Sequence, residues 1–265
     1  MGGRLVETLA VLLPPGVTAW SAAVLIVLSF FTSALTGALG LGGGLLMLAV
    51  MGLLLPPAVL IPVHGVVQVG SNFGRAVLMR QHVVWAFVLP FVLGSAIGVA
   101  LGAQIVTAVS TPLLLVVLGL FVLWSAWAGR LRPSRIPAKG FFAVGAVSSF
   151  STMFVGATGP LVAGFLVPDP LTRHQTVATH ATFMLLQHGL KLTAFWALGF
   201  AFVLWLPMLL VMIGLGFLGT MAGKRMLDRV PEGRFALAFK LVLSALAVQL
   251  VYEGASAWFA RSALQ

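Results

Sequence analysis

The sequence contains no cysteine, and only five of its 265 residues are carboxylates. Without cysteine there is no disulfide, no thiolate metal site and no cysteine nucleophile. The five acidic residues, Glu7, Asp169, Asp228, Glu232 and Glu253, fall at expected helix ends or loops. Neither a carboxylate proton relay nor a carboxylate cation site is therefore expected inside an apolar segment. Charge of either sign is scarce, at 8% of residues, where a soluble domain carries roughly 25%. So few charges cannot cover a surface in water, and the solvent implied is lipid. A cleaved signal peptide is not expected either. Residues 1–17 hold one Arg, one Glu and the break Pro14-Pro15-Gly16, in the wrong order for such a leader, and are expected to lie at the membrane interface.

What is present is apolar. Hydrophobic residues make up 60% of the chain and mean hydropathy is +1.12. Fifteen Lys and Arg give a formal charge of +10. They sit in short loops between apolar runs, which is the retention signal of cytoplasmic loops, so nucleic acid is not an expected partner.

Runs of about 20 apolar residues mark spanning candidates. In the first half these are Thr18 to Ala38, Ala58 to Met79, Val83 to Val106 and Pro112 to Ala128, with a shorter run from Leu45 to Leu55. In the second half they are Gly140 to Phe154, Thr172 to Leu198, Phe200 to Ala222 and Phe235 to Tyr252, with a short run from Leu161 to Val167. A basic linker, 130–139, separates a first repeat at 18–129 from a second at 140–258. At an offset of about 116 residues Gly40 falls on Gly156, Gly43 on Gly159, His64 on His180 and Arg75 on Lys191. After a small insertion, Gly98 and Gly102 match Gly219 and Gly223. The chain reads as an internal duplication.

Charge placement orients the halves. The linker carries Arg130, Arg132, Arg135 and Lys139, and the loop Lys224 to Arg234 carries four basic residues; both are expected inside. The uncharged loops Thr107 to Thr111 and Ala197 to Gly199 are expected outside. Matching helices then run in opposite directions, so the repeat is inverted. The short runs cannot cross alone, and each is expected to form a broken hairpin with the helix before it. The fold class expected is an all-α integral membrane protein of about eight to ten membrane segments, broken or re-entrant at the glycines.

Two constellations carry chemistry. At Gly40 to Gly44 and Gly156 to Pro160 the backbone can unwind, leaving amides and a positive helix end toward a cavity. An anion is the natural guest, and Gly42, Gly43, Gly44, Thr158 and Gly159 are candidate contacts. The alternative is that these glycines only permit close packing. The second constellation is a polar stripe. His64, Gln68, Ser71, Asn72 and Arg75 are spaced 4, 7, 8 and 11 residues from the first, along one helical face. His180, Gln187, His188 and Lys191 repeat the pattern, with Met184 in the remaining position. For Arg75 and Lys191 the alternative is snorkelling to the interface; for His64 and His180 it is a packed imidazole bonded to a carbonyl. Histidines would be the carriers in any proton coupling. An enzyme is not expected: His180 and His188 lie about 12 Å apart along a helix, the ligand set is poor, and no phosphate-loop signature is present. No cofactor is expected.

The break Leu39 to Gly44, its counterpart Gly156 to Pro160, the pairs Gly98/Gly102 and Gly219/Gly223, and the duplicated length resemble the sulfite exporter TauE/SafE family. The resemblance runs from about Ser21 to Tyr252. It implies an anion transporter of the bacterial cytoplasmic membrane, acting on sulfite, sulfonates such as sulfoacetate, or related carboxylates. Thr158 and Pro160 depart from the glycine-rich second break of the family. The expected partners are therefore a small anion and lipid, while a homodimer stays open. A secondary transporter is expected, with a passive anion channel or a histidine-dependent membrane enzyme as alternatives.

Overall fold

The computed structural model describes residues 13–39, 42–127, 134–167, 170–225 and 233–262. Gly40 and Leu41 of the first break, 130–133 of the basic linker, 226–232 of the second basic loop and 1–12 of the N-terminal stretch lie outside the described residues.

The described chain is helical, with no strand. Helices α1 (Ala19–Leu39) and α2 (Gly43–Leu54) are followed by α3 (Pro57–Leu78), α4 (Trp85–Val106) and α5 (Thr111–Trp127). Beyond the linker come α6 (Phe141–Val155), α7 (Gly159–Leu166), α8 (Arg173–Ala197), α9 (Leu206–Lys224) and α10 (Gly233–Ser262). Among the described residues, five stretches are long and apolar enough to cross a membrane: Ala19–Leu39, Trp85–Val106, Ala138–Val155, Phe202–Lys224 and Leu237–Ala260. Helices α3 and α8 are as long, at 22 and 25 residues, but their polar stripes keep them below that apolar standard. Their place is the interior.

The side-chain distribution is that of a protein in lipid. Large apolar residues face outward, among them Trp20, Leu89, Leu210 and Trp196, while His64, Asn72, Arg75, His188 and Lys191 are buried. Lipid gives no hydrophobic reward for helix association, so small residues and interhelical hydrogen bonds must supply it. The glycines do this. A Cβ on Gly94 or Gly98 would overlap the α6 backbone at Phe142 and Ala146, and one on Gly219 or Gly223 would overlap the α1 backbone at Phe30 and Ala34. Thus α4 packs on α6 and α9 packs on α1, while α3 lies against α8 and α5 against α10. Side chains reinforce the pairs. Ser29 donates to the Met212 carbonyl at 3.0 Å, and Trp127 Nε1 donates to Ser244 Oγ at 2.7 Å.

At one end of the bundle, side chains of the second half reach helix ends of the first. Arg173 donates to the Ala38 carbonyl at 3.0 Å, and Lys224 to the Leu78 carbonyl at 3.1 Å. Both acceptors belong to the last turn of a helix, where carbonyls lack intrahelical donors. Thr172 starts α8 with a capping box to Gln175.

Some boundaries differ from the sequence reading. Helix α2 begins at Gly43 and α7 at Gly159, so Gly43, Gly44, Gly159 and Pro160 are first-turn helical residues and not part of an unwound stretch. Proline is favoured in a first helical turn because its missing amide would be unpaired there anyway. The non-helical points are Gly42, with φ 103°, and Gly156 to Thr158, with Gly156 at φ 73°. The run Phe200 to Ala222 opens with a 3-10 turn at Phe202–Trp205, and α10 continues ten residues past Tyr252, to Ser262.

Candidate functional site

The short helices α2 and α7 place their N-termini at one small, partly open cavity of about 30 Å³. That is room for two or three ordered waters, at roughly 10–15 Å³ each. Gly42, Gly44 and Leu45 line it from the first break, and Ala157, Gly159 and Pro160 from the second. The remaining wall is Thr36 of α1, Gln68, Asn72 and Arg75 of α3, and His180, Met184 and His188 of α8. The first-turn amides of a helix have no intrahelical acceptor, so both ends present positive partial charge to this space.

Arg75 is held in the wall by its neighbour. Asn72 Nδ2 donates to the Gln68 carbonyl at 2.7 Å, and Asn72 Oδ1 accepts from Arg75 Nη2 at 2.6 Å. Arg75 is 2% exposed and Lys191 0%. Neither cation snorkels, and Lys191 is not at a mouth of the protein: its Nζ donates to the Gly156 carbonyl at 2.9 Å, beside the second break. No residue of α1 to α9 is a carboxylate, so the membrane-embedded cations face polar groups of other kinds.

The two repeat-related histidines make the same bond. His64 Nε2 donates to the Gly44 carbonyl at 2.9 Å, and His180 Nε2 donates to the Gly159 carbonyl at 3.0 Å. A carbonyl can only accept, which fixes the proton on Nε2 and leaves Nδ1 as the free ring nitrogen. Nδ1 of His64, His180 and His188 is buried without a hydrogen-bond partner. The His64 and His188 rings meet edge to face with centroids 5.9 Å apart.

Gln187 has a different occupation. Its Oε1 accepts from Thr158 Oγ1 at 3.1 Å, and its Nε2 donates to Ser148 Oγ at 3.0 Å and Ser149 Oγ at 2.9 Å. These bonds tie α8 to α6 and to the turn before α7. Among the sequence candidates, Gly42, Gly44, Gln68, Asn72, Arg75, Gly159, His180 and His188 reach the cavity; Gly43, His64, Thr158, Gln187 and Lys191 stand behind its wall. A Cβ on Gly43 would overlap the Thr32 carbonyl and Thr36 Oγ1, so its bareness serves contact with α1.

Thr36, Leu45, Ala157, Pro160 and Met184 line the cavity without having been assigned contacts from sequence. Thr36 had a signal. The 116-residue offset aligns Thr32, Ser33 and Thr36 with Ser148, Ser149 and Thr152, a repeated hydroxyl stripe at helical spacing. The two stripes have diverged in use: Ser33 donates to Ser71 at 3.1 Å, and Thr152 donates to the Gly156 carbonyl at 3.1 Å.

No metal cluster of three or more His, Cys, Asp or Glu occurs among the described residues. Neither a curated protein nor a solved structure matches the chain. Its sequence does match the family described as sulfite exporter TauE/SafE, over residues 25–250, and the chain belongs to that family of membrane transporters of sulfite and related anions.

Proposed function

We propose that the chain is a secondary transporter that moves a small anion, by preference sulfite or an organosulfonate, across the bacterial cytoplasmic membrane by alternating access. The observation that carries this reading is the small cavity between two helix N-termini with Arg75 in its wall. Such a site offers fixed charge, amide donors and amide side chains, and no carboxylate to repel an oxyanion. Gln68, Asn72, His180 and His188 would complete the hydrogen bonds, and the small volume favours compact anions over aromatic sulfonates.

The exchanged packing supports two inverted repeats: α1 lies on α9 while its sequence counterpart α6 lies on α4. In such an arrangement the shared site sits at the repeat interface and the halves rock about it. Gly43, His64, Thr158, Gln187 and Lys191 would shape the wall from behind, the non-helical turns at Gly42 and Gly156 serving as the joints of the broken helices.

The test is uptake of radiolabelled sulfite into proteoliposomes, with sulfate, sulfoacetate, taurine and acetate as competitors. Saturable uptake that Arg75→Gln lowers at least tenfold supports the reading, since a charge-assisted hydrogen bond is worth about 1.5–3 kcal/mol. Uptake that never saturates means a channel. Saturable uptake unaffected by Arg75→Gln would place the anion elsewhere.

A further inference from the structure

Arg75 and Lys191 occupy equivalent positions of the two halves, 116 residues apart, yet they are chemically unlike. A guanidinium stays protonated in a protein, whereas an amine can lose its proton when buried. Arg75 lies in the cavity wall, oriented by Asn72. Lys191 is withdrawn behind it, 0% exposed, with one hydrogen bond, to the Gly156 carbonyl.

That environment is built for an amine in either form. A carbonyl accepts from –NH₃⁺ and, more weakly, from –NH₂, so the Gly156 bond is available to the nitrogen in either form. Space for the chain comes from Gly65, where a Cβ would stand 3.0 Å from Lys191 Cε and 3.6 Å from Nζ. The groups facing Lys191 are His64 from α3 and His188 from its own helix, both close enough for its charge to act on them. His180 and Arg75 lie further along the same two helices, at the cavity. Helices α4, α6 and α7 contribute no titratable side chain. Glu253, the one carboxylate among the described residues, lies on α10 beside Gln249, so among these residues the charged amine has no counter-ion until an anion enters the cavity. His188, one turn before Lys191, lines that cavity and separates the anion from the amine.

The histidines are worse placed to carry a proton. His64 and His180 spend Nε2 on helix carbonyls; a second proton on either ring would sit on a buried Nδ1 that has no acceptor, whereas Lys191 Nζ already has one in the Gly156 carbonyl.

We propose that Lys191 is the proton site of the transport cycle, its Nζ taking a proton from water as the anion enters and returning it on the opposite side as the anion leaves. This rests on the anion reading above. The lone pair of the neutral amine accepts the proton, the Gly156 bond persists, and the anion balances the new charge across His188. No oxidant, metal or second substrate takes part. The cycle is anion–proton symport.

The experiment measures protons taken up when methanesulfonate, an anion fully ionised near neutral pH, binds purified protein. Calorimetry at one pH in buffers of different ionisation enthalpy gives that count by linkage. Wild type should take up a fraction of a proton, and the fraction should rise with pH as more of the free protein holds Lys191 as the neutral amine. Lys191→Arg should bind within a few-fold of wild type and take up none. Lys191→Gln serves as a second variant and should also lose the uptake. In proteoliposomes, Lys191→Arg should still exchange anion for anion but lose accumulation driven by a pH gradient. Proton uptake that survives in both variants, or disappears in His188→Gln alone, overturns the proposal. Binding by wild type without proton uptake also overturns it while leaving the anion site standing. Absence of binding removes the anion site itself.

Discussion

Replacing Gln187 by Ala separates a wall-building residue from a ligand-binding one. The side chain is fully buried and makes three hydrogen bonds, to Thr158, Ser148 and Ser149. In membrane proteins such a bond averages about 0.6 kcal/mol, with a maximum near 1.7. Three bonds therefore set a range of about 2–5 kcal/mol, and the lower part is expected because Ser148 retains a contact with the Gly145 carbonyl at 3.4 Å. A cavity left by the lost amide adds to the cost. Reversible unfolding in mixed micelles, followed by tryptophan fluorescence or helical circular dichroism, measures the loss. Anion affinity of the folded fraction should change less than threefold, because Gln187 lies outside the cavity lining. Unchanged stability together with a large loss of affinity would refute the reasoning, since the amide would then be serving the ligand and not α6 and α7.

Other perturbations follow from the same geometry. Gly219→Ala should abolish a monodisperse fold, because its Cβ meets the Phe30 carbonyl; Gly214→Ala, with nothing within 4 Å, should be neutral or gain up to about 1 kcal/mol. Size-exclusion profiles and thermal melts read both. His64→Ala and His180→Ala each delete one bond to a short-helix carbonyl, so each should lower transport while costing only about 1 kcal/mol of stability; failure of membrane insertion would instead make them structural. The chain has no cysteine, so single introduced thiols report topology directly. Arg135→Cys should react with an impermeant maleimide only from the cytoplasmic side, and Thr107→Cys only from the opposite side.

The spanning helices were legible within a few residues because an apolar window of fixed length is a bilayer signal that survives without tertiary information. The starts of α2 and α7 were not. The N-cap of α2 is Gly42, which has no side chain, and that of α7 is Thr158, whose hydroxyl goes to Gln187 instead, so no local cap distinguishes an unwound glycine from a first-turn one. The extension of α10 past Glu253 was missed for a related reason: charge ends an apolar window without ending a helix. On α3 and α8 the spacing alone put the polar residues on one face. Which of them touch the cavity depended on partners elsewhere in the chain. Gln187 is drawn away by Ser148 and Ser149, and Lys191 by the Gly156 carbonyl. The difference between Arg75 and Lys191 at matching positions likewise shows its structural consequence only once burial and neighbours are known.

The scarcity of negative charge has an electrical consequence. Arg75 sits in the cavity wall, and no carboxylate lies in α1 to α9. When a monovalent anion occupies the cavity, it and the guanidinium cancel. In the proposed symport cycle the proton that Lys191 gains leaves the loaded form with one positive charge, the same as the empty form with its bare guanidinium. A full elementary charge crossing 100 mV is worth about 2.3 kcal/mol, and a wall residue that shifts through part of the field feels part of that. Membrane voltage would favour one passage as much as it opposes the other, leaving the whole cycle electroneutral for a monovalent anion.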